Sequence, residues 1–192
     1  MNETKEGKKG VNPVAIIIVA ISVVVVLIMV FAKKSSFELV VAGTQAIDFQ
    51  LPDLDGKTRS LGEFKGKVVF LNFWATWCKP CEEEMPSMQR LYAALQGKPF
   101  EMVAVSIDKD GAEAVEEFVK KYGVGFTVLH DRKGKVKESY KTTGVPETFI
   151  IDQNGVIAEK VMGPRDWSRV SNVAIVMELL ENGPKDPASY RR

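Results

Sequence analysis

Residues 73–81 read FWATWCKPC and hold the only two cysteines of this 192-residue chain. The residues just before them, 68–73 (VVFLNF), form a nearly continuous apolar run, which predicts a buried strand. After the cysteines, apolar residues recur at steps of three or four and predict a helix; they are Met85, Met88, Leu91, Tyr92 and Leu95. The Cys-x-x-Cys pair is therefore expected where a central strand ends and a helix begins.

This position favours a reactive thiolate at Cys78. The first amide groups of a helix have no intrahelical partner, and the helix dipole adds partial positive charge there. Cys78 is thus predicted to be the exposed attacking sulfur, and Cys81, one turn deeper, the resolving sulfur. Because the spacing allows a disulfide, the pair can exchange two electrons with another disulfide.

Two other uses of the cysteines are less well supported. A zinc site needs four ligands, and His130, the only histidine, lies far away in the sequence. A disulfide that closes so short a loop adds little stability. The sequence therefore favours a redox-active pair and predicts neither a metal nor another cofactor. His130 itself is expected to be a surface residue at the end of a strand.

A second stretch, residues 144–149 (GVPETF), follows the motif WCKPC by some 65 residues. Together with the preceding LNFWAT, these stretches resemble the thioredoxin superfamily. The closer resemblance is to its membrane-anchored, extracytoplasmic branch, the TlpA/ResA/DsbE-like thiol-disulfide oxidoreductases, and it covers roughly residues 46–180. It implies a thioredoxin-like α/β fold.

The other patterns in the chain agree with that fold. Strands alternate with helices and then give way to a hairpin and a last helix, which predicts a mixed central sheet flanked by helices. The expected elements are an N-terminal hairpin with a turn at Asp55-Gly56, strands at 100–107 and 126–129, a helix ending at Gly123, a short helix at 136–140, a hairpin at 148–158 and a final helix capped by Asp166. Residues 112–131 resemble the helix-strand insert of the TlpA/ResA-like branch.

Residues 14–32 predict a transmembrane helix. Ser22 is the only polar side chain among these nineteen residues, and a helix of this length spans about 28 Å, close to the roughly 30 Å core of a bilayer. The alternative is a cleaved signal peptide, whose apolar region is usually about 7–15 residues long and ends in small residues. Here the run is longer and ends in VFAKK, which favours an uncleaved signal-anchor.

These observations divide the chain into five parts. They are a cytoplasmic N-terminus (1–13), the transmembrane signal-anchor (14–32), a tether (33–45), the thioredoxin-like domain (46–182) and a flexible tail (183–192). Lysines lie on both sides of the apolar run, so charge gives little information on orientation. The resemblance implies a single-pass protein of the cell membrane with its catalytic domain extracytoplasmic, in the periplasm or outside the cell. The formal net charge of +1 argues against a nucleic-acid partner.

The resemblance also assigns roles to residues around the sulfurs. The proline that matches Pro146 is cis in the superfamily, and its neighbour, here Val145, offers backbone groups to an extended peptide. Glu84 occupies the position at which ResA-like proteins carry an acid that influences proton transfer to the thiols; a plain helix acid is the alternative. Asn72 stands where ordinary thioredoxins have a buried aspartate. Because its amide does not titrate, Asn72 cannot exchange a proton with the thiols.

Three further residues belong to the motif itself. Pro80 suits the first turn of a helix and stiffens the loop. Lys79 is expected to favour the Cys78 thiolate, or simply to be solvated. Trp77 is expected to form a partly exposed wall beside Cys78, with Trp74 in the core.

The expected activity is thiol-disulfide exchange outside the cytoplasm. The resemblance implies a reductant of the CxxCH thiols of an apocytochrome c during cytochrome c maturation, with a CcdA/DsbD-like membrane protein as electron donor. One alternative is a general disulfide oxidant or isomerase. Another is a module that binds copper or assembles a copper site, because Cu(I) favours thiolates. A peroxidase would use one isolated cysteine, which this sequence lacks.

Overall fold

The computed structural model describes residues 13–32 and 40–191. The chain divides into two units between residues 38 and 39. The first contains helix α1 (Pro13–Ala32), whose described side chains, those of residues 17–26, are all exposed. Over the residues that the structure describes, no helix is both long enough and apolar enough to cross a membrane. Most of the predicted cytoplasmic N-terminus and the first part of the predicted tether lie outside the described residues.

The second unit is built on a five-stranded mixed sheet. The strands of this unit are β1 (Gln50–Pro52), β2 (Thr58–Ser60), β3 (Val68–Trp74), β4 (Phe100–Ser106), β5 (Thr127–His130), β6 (Glu147–Ile151) and β7 (Ile157–Met162). The order in the sheet is β5-β4-β3-β6-β7; β3, β4 and β5 run parallel, and β6 and β7 add antiparallel pairs. Every residue of β3 is buried, as its apolar run predicted. The separate β1–β2 pair is the predicted N-terminal hairpin.

Helices lie on both faces of this sheet. They are α2 (Lys79–Ala94), α3 (Ala112–Tyr122), α4 (Lys135–Ser139) and α5 (Val170–Asn182). The ring of Trp74 in β3 lies 4.8 Å from that of Phe118 in α3, whereas the ring of Phe73 lies 5.4 Å from that of Tyr140, just after α4. Because successive strand residues point to opposite faces, α3 and α4 cover opposite sides. The thioredoxin-like α/β fold is therefore confirmed, and α3 and β5 form the predicted helix-strand insert.

The predicted tether and tail are wrong in part. Val40 is buried, and the amide of Gly43 donates to the carbonyl of Ile157 at 2.7 Å, so residues 43–46 pair with residues 155–157 at the start of β7. At the other end, Pro187–Tyr190 forms a 3-10 helix. The buried Tyr190 donates its hydroxyl to the Asp152 carboxylate at 3.1 Å. Burial of this ring removes apolar surface from water and fixes a segment whose composition alone resembles a flexible tail.

The predicted cap of the last helix is also wrong. Helix α5 begins after Arg169 without a side-chain cap. Asp166 lies one turn earlier, where its carboxylate accepts a hydrogen bond from the Ser168 amide at 3.1 Å. Aspartate bonds readily to the amide two residues ahead of it, so here it closes a local turn instead of starting the helix.

Candidate active site

Cys78 and Cys81 form a disulfide at the start of α2. Cys78 is the N-cap residue, and its sulfur accepts a hydrogen bond from the Cys81 amide at 3.3 Å. Cys81 is fully buried, whereas Cys78 keeps 5% of its surface exposed. Any partner must therefore reach the pair through the Cys78 sulfur. The relative depth of the two sulfurs is as expected, but the prediction that Cys78 is exposed is wrong, because the loop that contains Val145 packs beside it.

The loop before β6 lies directly beside Cys78. The Val145–Pro146 peptide bond is cis, as expected. The carbonyl oxygen of Val145 is 3.5 Å from the Cys78 sulfur, while the carbonyl of Pro146 accepts from the Gly163 amide at 2.9 Å. Among the described residues, no backbone group bonds to the amide or the carbonyl of Val145. Val145 is therefore free to pair with an extended peptide that reaches the sulfur.

The other motif residues lie at the exposed end of α2. Trp77 is 68% exposed beside Cys78, and Trp74 is fully buried, as expected. Pro80 lies in the first turn of α2. The ammonium group of Lys79 is 3.2 Å from the Glu82 carboxylate and its side chain is 70% exposed. Because exposed ion pairs are screened by water and Lys79 faces a carboxylate, its effect on the Cys78 thiolate is small.

Glu84 is buried one turn after Cys81, with only 3% of its surface exposed. Its carboxylate accepts hydrogen bonds from Asn72 Nδ2 at 3.0 Å, from the Arg165 amide at 3.2 Å and from Trp167 Nε1 at 3.3 Å. Burial raises the pKa of Glu84 to about 7, and the three donors only partly oppose this rise because they favour the charged form. At neutral pH, Glu84 can therefore both accept and release a proton.

A cleft of about 400 Å³ connects this carboxyl group with solvent. Glu84 lines it together with Glu83 and Ser87 of α2 and with residues 164–166. A buried acid that titrates near neutral pH, borders a cleft and lies one helical turn after Cys81 is a candidate proton shuttle.

We expect Glu84→Gln to change the pH dependence of thiol reactivity in the reduced protein. If Glu84 exchanges protons with the thiols, its titration near pH 7 contributes a step to the alkylation rate, and glutamine removes that step because it does not titrate. The rate of iodoacetamide alkylation between pH 5 and 9 measures this effect. Glu83→Gln, which changes the exposed neighbouring acid, is the matched control. An alkylation curve that is identical for wild type and Glu84→Gln would exclude Glu84 from the chemistry.

A buried carboxylate that the sequence patterns did not predict fixes the loop before the cysteines. Asp108 follows β4 and is 3% exposed. It accepts hydrogen bonds from the Thr76 hydroxyl at 2.7 Å, the Thr76 amide at 3.1 Å and the Ser106 hydroxyl at 2.7 Å. Polar residues that follow a buried parallel strand are a signal for such a position, because the carboxyl ends of these strands meet at one edge.

The prediction for His130 is wrong in its burial. His130 ends β5, as expected, but only 7% of its surface is exposed. Its Nε2 lies 2.8 Å from the carbonyl oxygen of Asp108, so the ring joins the loops that follow β4 and β5. The loop after the neighbouring strand β4 supplies the carbonyl group that allows the ring to be buried. Within the described residues, no group of three or more His, Cys, Asp or Glu side chains could hold a metal ion.

A buried ion pair supports the loop that carries Pro146. Glu147 is 1% exposed, and its carboxylate lies 2.7 Å from the ammonium group of Lys160 in β7. The second oxygen of Glu147 accepts a hydrogen bond from the Thr143 amide at 3.3 Å. This pair therefore connects the end of the sheet with the segment that leads to Val145 and Pro146.

A thioredoxin-like fold with a Cys-x-x-Cys disulfide at a helix N-terminus and a cis-proline loop beside it defines a thiol-disulfide oxidoreductase. The chain belongs to the AhpC/TSA family, whose model matches residues 42–160.

Similar proteins narrow this class. The thiol-disulfide oxidoreductase ResA of Bacillus cereus is 41% identical over 133 residues, which cover 69% of this chain and 75% of that protein. ResA of Oceanobacillus iheyensis is 41% identical over 180 residues, covering 88% of this chain and 91% of that protein. A solved structure from Chlorobium tepidum, assigned as a thiol:disulfide interchange protein DsbE, is 34% identical with a TM-score of 0.65 and covers 73% of this chain and 96% of that one. The protein is thus a thiol-disulfide oxidoreductase of the ResA/DsbE type, with Cys78 and Cys81 as its Cys-x-x-Cys pair.

Proposed function

We propose that this chain is a membrane-tethered, extracytoplasmic reductant of the CxxCH disulfide of an apocytochrome c. The observation that carries the proposal is the open backbone of Val145 beside the one accessible sulfur, Cys78. Together they suit a client that presents its disulfide on an extended, unfolded segment, as an apocytochrome does before haem attachment. The sequence resemblance to the TlpA/ResA/DsbE-like oxidoreductases implies the same client class.

The reaction proceeds in two exchanges. The Cys78 thiolate attacks one sulfur of the client disulfide, which forms a mixed disulfide and releases the other client sulfur as a thiolate. The Cys81 thiolate then attacks the Cys78 sulfur, releases the second client thiolate and leaves the Cys78–Cys81 disulfide. Two electrons pass to the client, and a CcdA/DsbD-like membrane dithiol restores them by the same chemistry. Glu84 accepts the proton of Cys81 as that thiol becomes a nucleophile.

In this proposal the membrane anchor is the whole apolar run of residues 14–32, of which the described side chains of α1 are only a part. The run of residues 14–32 matches the thickness of a bilayer core. The large apolar side chains described for it, from Ile17 to Val26, are exposed at between 43% and 62%, and a helix that is apolar on every side needs an apolar environment such as lipid. The resemblance, and not the charge around the anchor, implies that the second unit lies outside the cytoplasm, where a membrane-bound electron donor can react with it.

The reduction potential of the full chain in detergent tests the direction of the reaction. A potential near or below about −250 mV is expected, whereas a value near −120 mV would instead support an oxidant.

The reduced chain is also expected to reduce a peptide with a CxxCH disulfide faster than the matched CxxCA peptide. Equal rates for the two peptides would contradict the proposed client. Stoichiometric binding of Cu(I) without disulfide reduction would favour the copper module.

A further inference from the structure

Three parallel strands bring a set of lysines to the same edge of the sheet as the disulfide. Cys78 follows β3, Lys109 follows β4, and Lys133 and Lys137 follow β5. Because the carboxyl ends of parallel strands meet at one edge, these residues surround a common opening. A groove of about 800 Å³ lies there, lined by the three lysines together with Trp77, the exposed neighbour of Cys78.

The backbone that carries these lysines is held in place. Nε2 of His130 lies 2.8 Å from the carbonyl oxygen of Asp108, and Nε of Arg132 donates to the carbonyl of Lys109 at 3.2 Å. The amide of Asp131 donates to the carbonyl of Ser106 at 2.8 Å. The loops after β4 and β5 are therefore joined at three points, which fixes the positions from which the lysine side chains extend.

The groove carries more positive than negative charge. Lys109 and Lys133 are exposed and Lys137 is half-buried. Within residues 40–191, no carboxylate lies within ion-pair distance of any of the three. Asp110 and Glu138 also line the groove and reduce its charge without pairing with the lysines. The three ammonium groups are thus available to an external anion.

We propose that this groove, formed by Lys109, Lys133 and Lys137 beside Trp77, binds acidic side chains of the protein segment whose disulfide Cys78 attacks. A client strand that pairs with Val145 extends past Cys78, and one of its arms passes over Trp77 into the groove. Carboxylates on that arm meet the lysines, which raises the rate of encounter and holds the disulfide near the sulfur. The proposal depends on the thiol-disulfide exchange activity and not on the identity of the client as a cytochrome.

The test uses the reduced full chain in neutral detergent and disulfide peptides that differ only in their arms. The arms carry two glutamates, two glutamines or two lysines, on the N-terminal or the C-terminal side of the disulfide. Only the arm on one side of the disulfide passes over Trp77 into the groove. At low salt, two glutamates on that side are expected to raise the second-order rate constant about fivefold over two glutamines, an effect of the size that a few rim ion pairs allow. This preference should decrease as salt screens it.

The Lys109→Gln/Lys133→Gln/Lys137→Gln variant is expected to lose the preference while it reduces the glutamine peptide at the wild-type rate. The control variant, Lys57→Gln/Lys65→Gln/Lys98→Gln, removes three exposed lysines from other parts of the domain and should keep the preference. Equal rate constants for glutamate and glutamine peptides on the unmodified chain would overturn the proposal. So would an equal slowing of all peptides by the groove variant, because the lysines would then act on the Cys78 thiolate and not on the client.

Discussion

The Cys81→Ser variant is expected to form a stable mixed disulfide with a client peptide and to release no peptide dithiol above the uncatalysed rate. Cys81 is fully buried against Cys78, so it is the sulfur placed to resolve the mixed disulfide. Serine is similar in size and cannot attack a disulfide, so the second exchange stops while the first continues. Intact-protein mass spectrometry after a single turnover of the reduced variant measures the adduct, and thiol titration measures the released peptide.

The matched control is Cys78→Ser. It keeps the fully buried Cys81 thiol and removes the one sulfur that has any exposed surface, so neither adduct nor product is expected. Release of dithiol by Cys81→Ser at the wild-type rate would show that another group resolves the mixed disulfide. An adduct of equal yield in the Cys78→Ser variant would assign the attacking role to Cys81 and reverse the roles derived from the geometry.

Lys160→Met is expected to lower the free energy of unfolding by about 3 kcal/mol, near the lower end of the range for breaking a buried ion pair. The reason is that the Glu147 carboxyl group, only 1% exposed, loses the ammonium group 2.7 Å away that compensates for its burial. The Lys160 side chain itself is 20% exposed, so water can partly replace it and the lower value applies. Urea denaturation measures the change, and a decrease in Tm of about 6–12 °C should accompany it.

A double-mutant cycle with Glu147→Gln separates the ion pair from the loss of packing. The double variant is expected to lose less free energy of unfolding than the two single variants lose together, because the double variant contains no unpaired buried charge. If Lys160→Met costs less than about 1 kcal/mol, the pair contributes no more than an exposed surface pair. Its support of the loop at Pro146 would then come from the Thr143 hydrogen bond alone.

Local patterns in the sequence predicted the parts of the fold that depend on local physics. The continuous apolar run of β3 reflects its burial in the centre of the sheet, and the turn at Gly123 ends α3 as predicted, with that residue in the left-handed conformation. The position of Cys78 at a helix N-terminus followed from the change of period after residue 78. In each case the residues that determine the structure are neighbours in the chain.

The parts that were missed depend on distant residues. Arg165 and Trp167, which bind Glu84, lie about 80 residues after it. The partner of Tyr190 is Asp152, and His130 is buried because its ring nitrogen bonds to the carbonyl of Asp108 in the loop after β4. Periodicity contains no information on such contacts. They become visible only when the order of the strands is known, as with Asp108 and Thr76, which meet because β3 and β4 are adjacent.

The near-complete burial of the disulfide limits how the protein can work in a chain of electron carriers. Since both the supplier and the recipient of electrons must react at the same sulfur, they cannot be bound at once, and each must leave before the other arrives. Strong affinity for either one would slow the whole cycle. Contacts beside the sulfur are therefore most useful when they accelerate arrival without delaying departure, which is the kinetic property of screened, long-range charge.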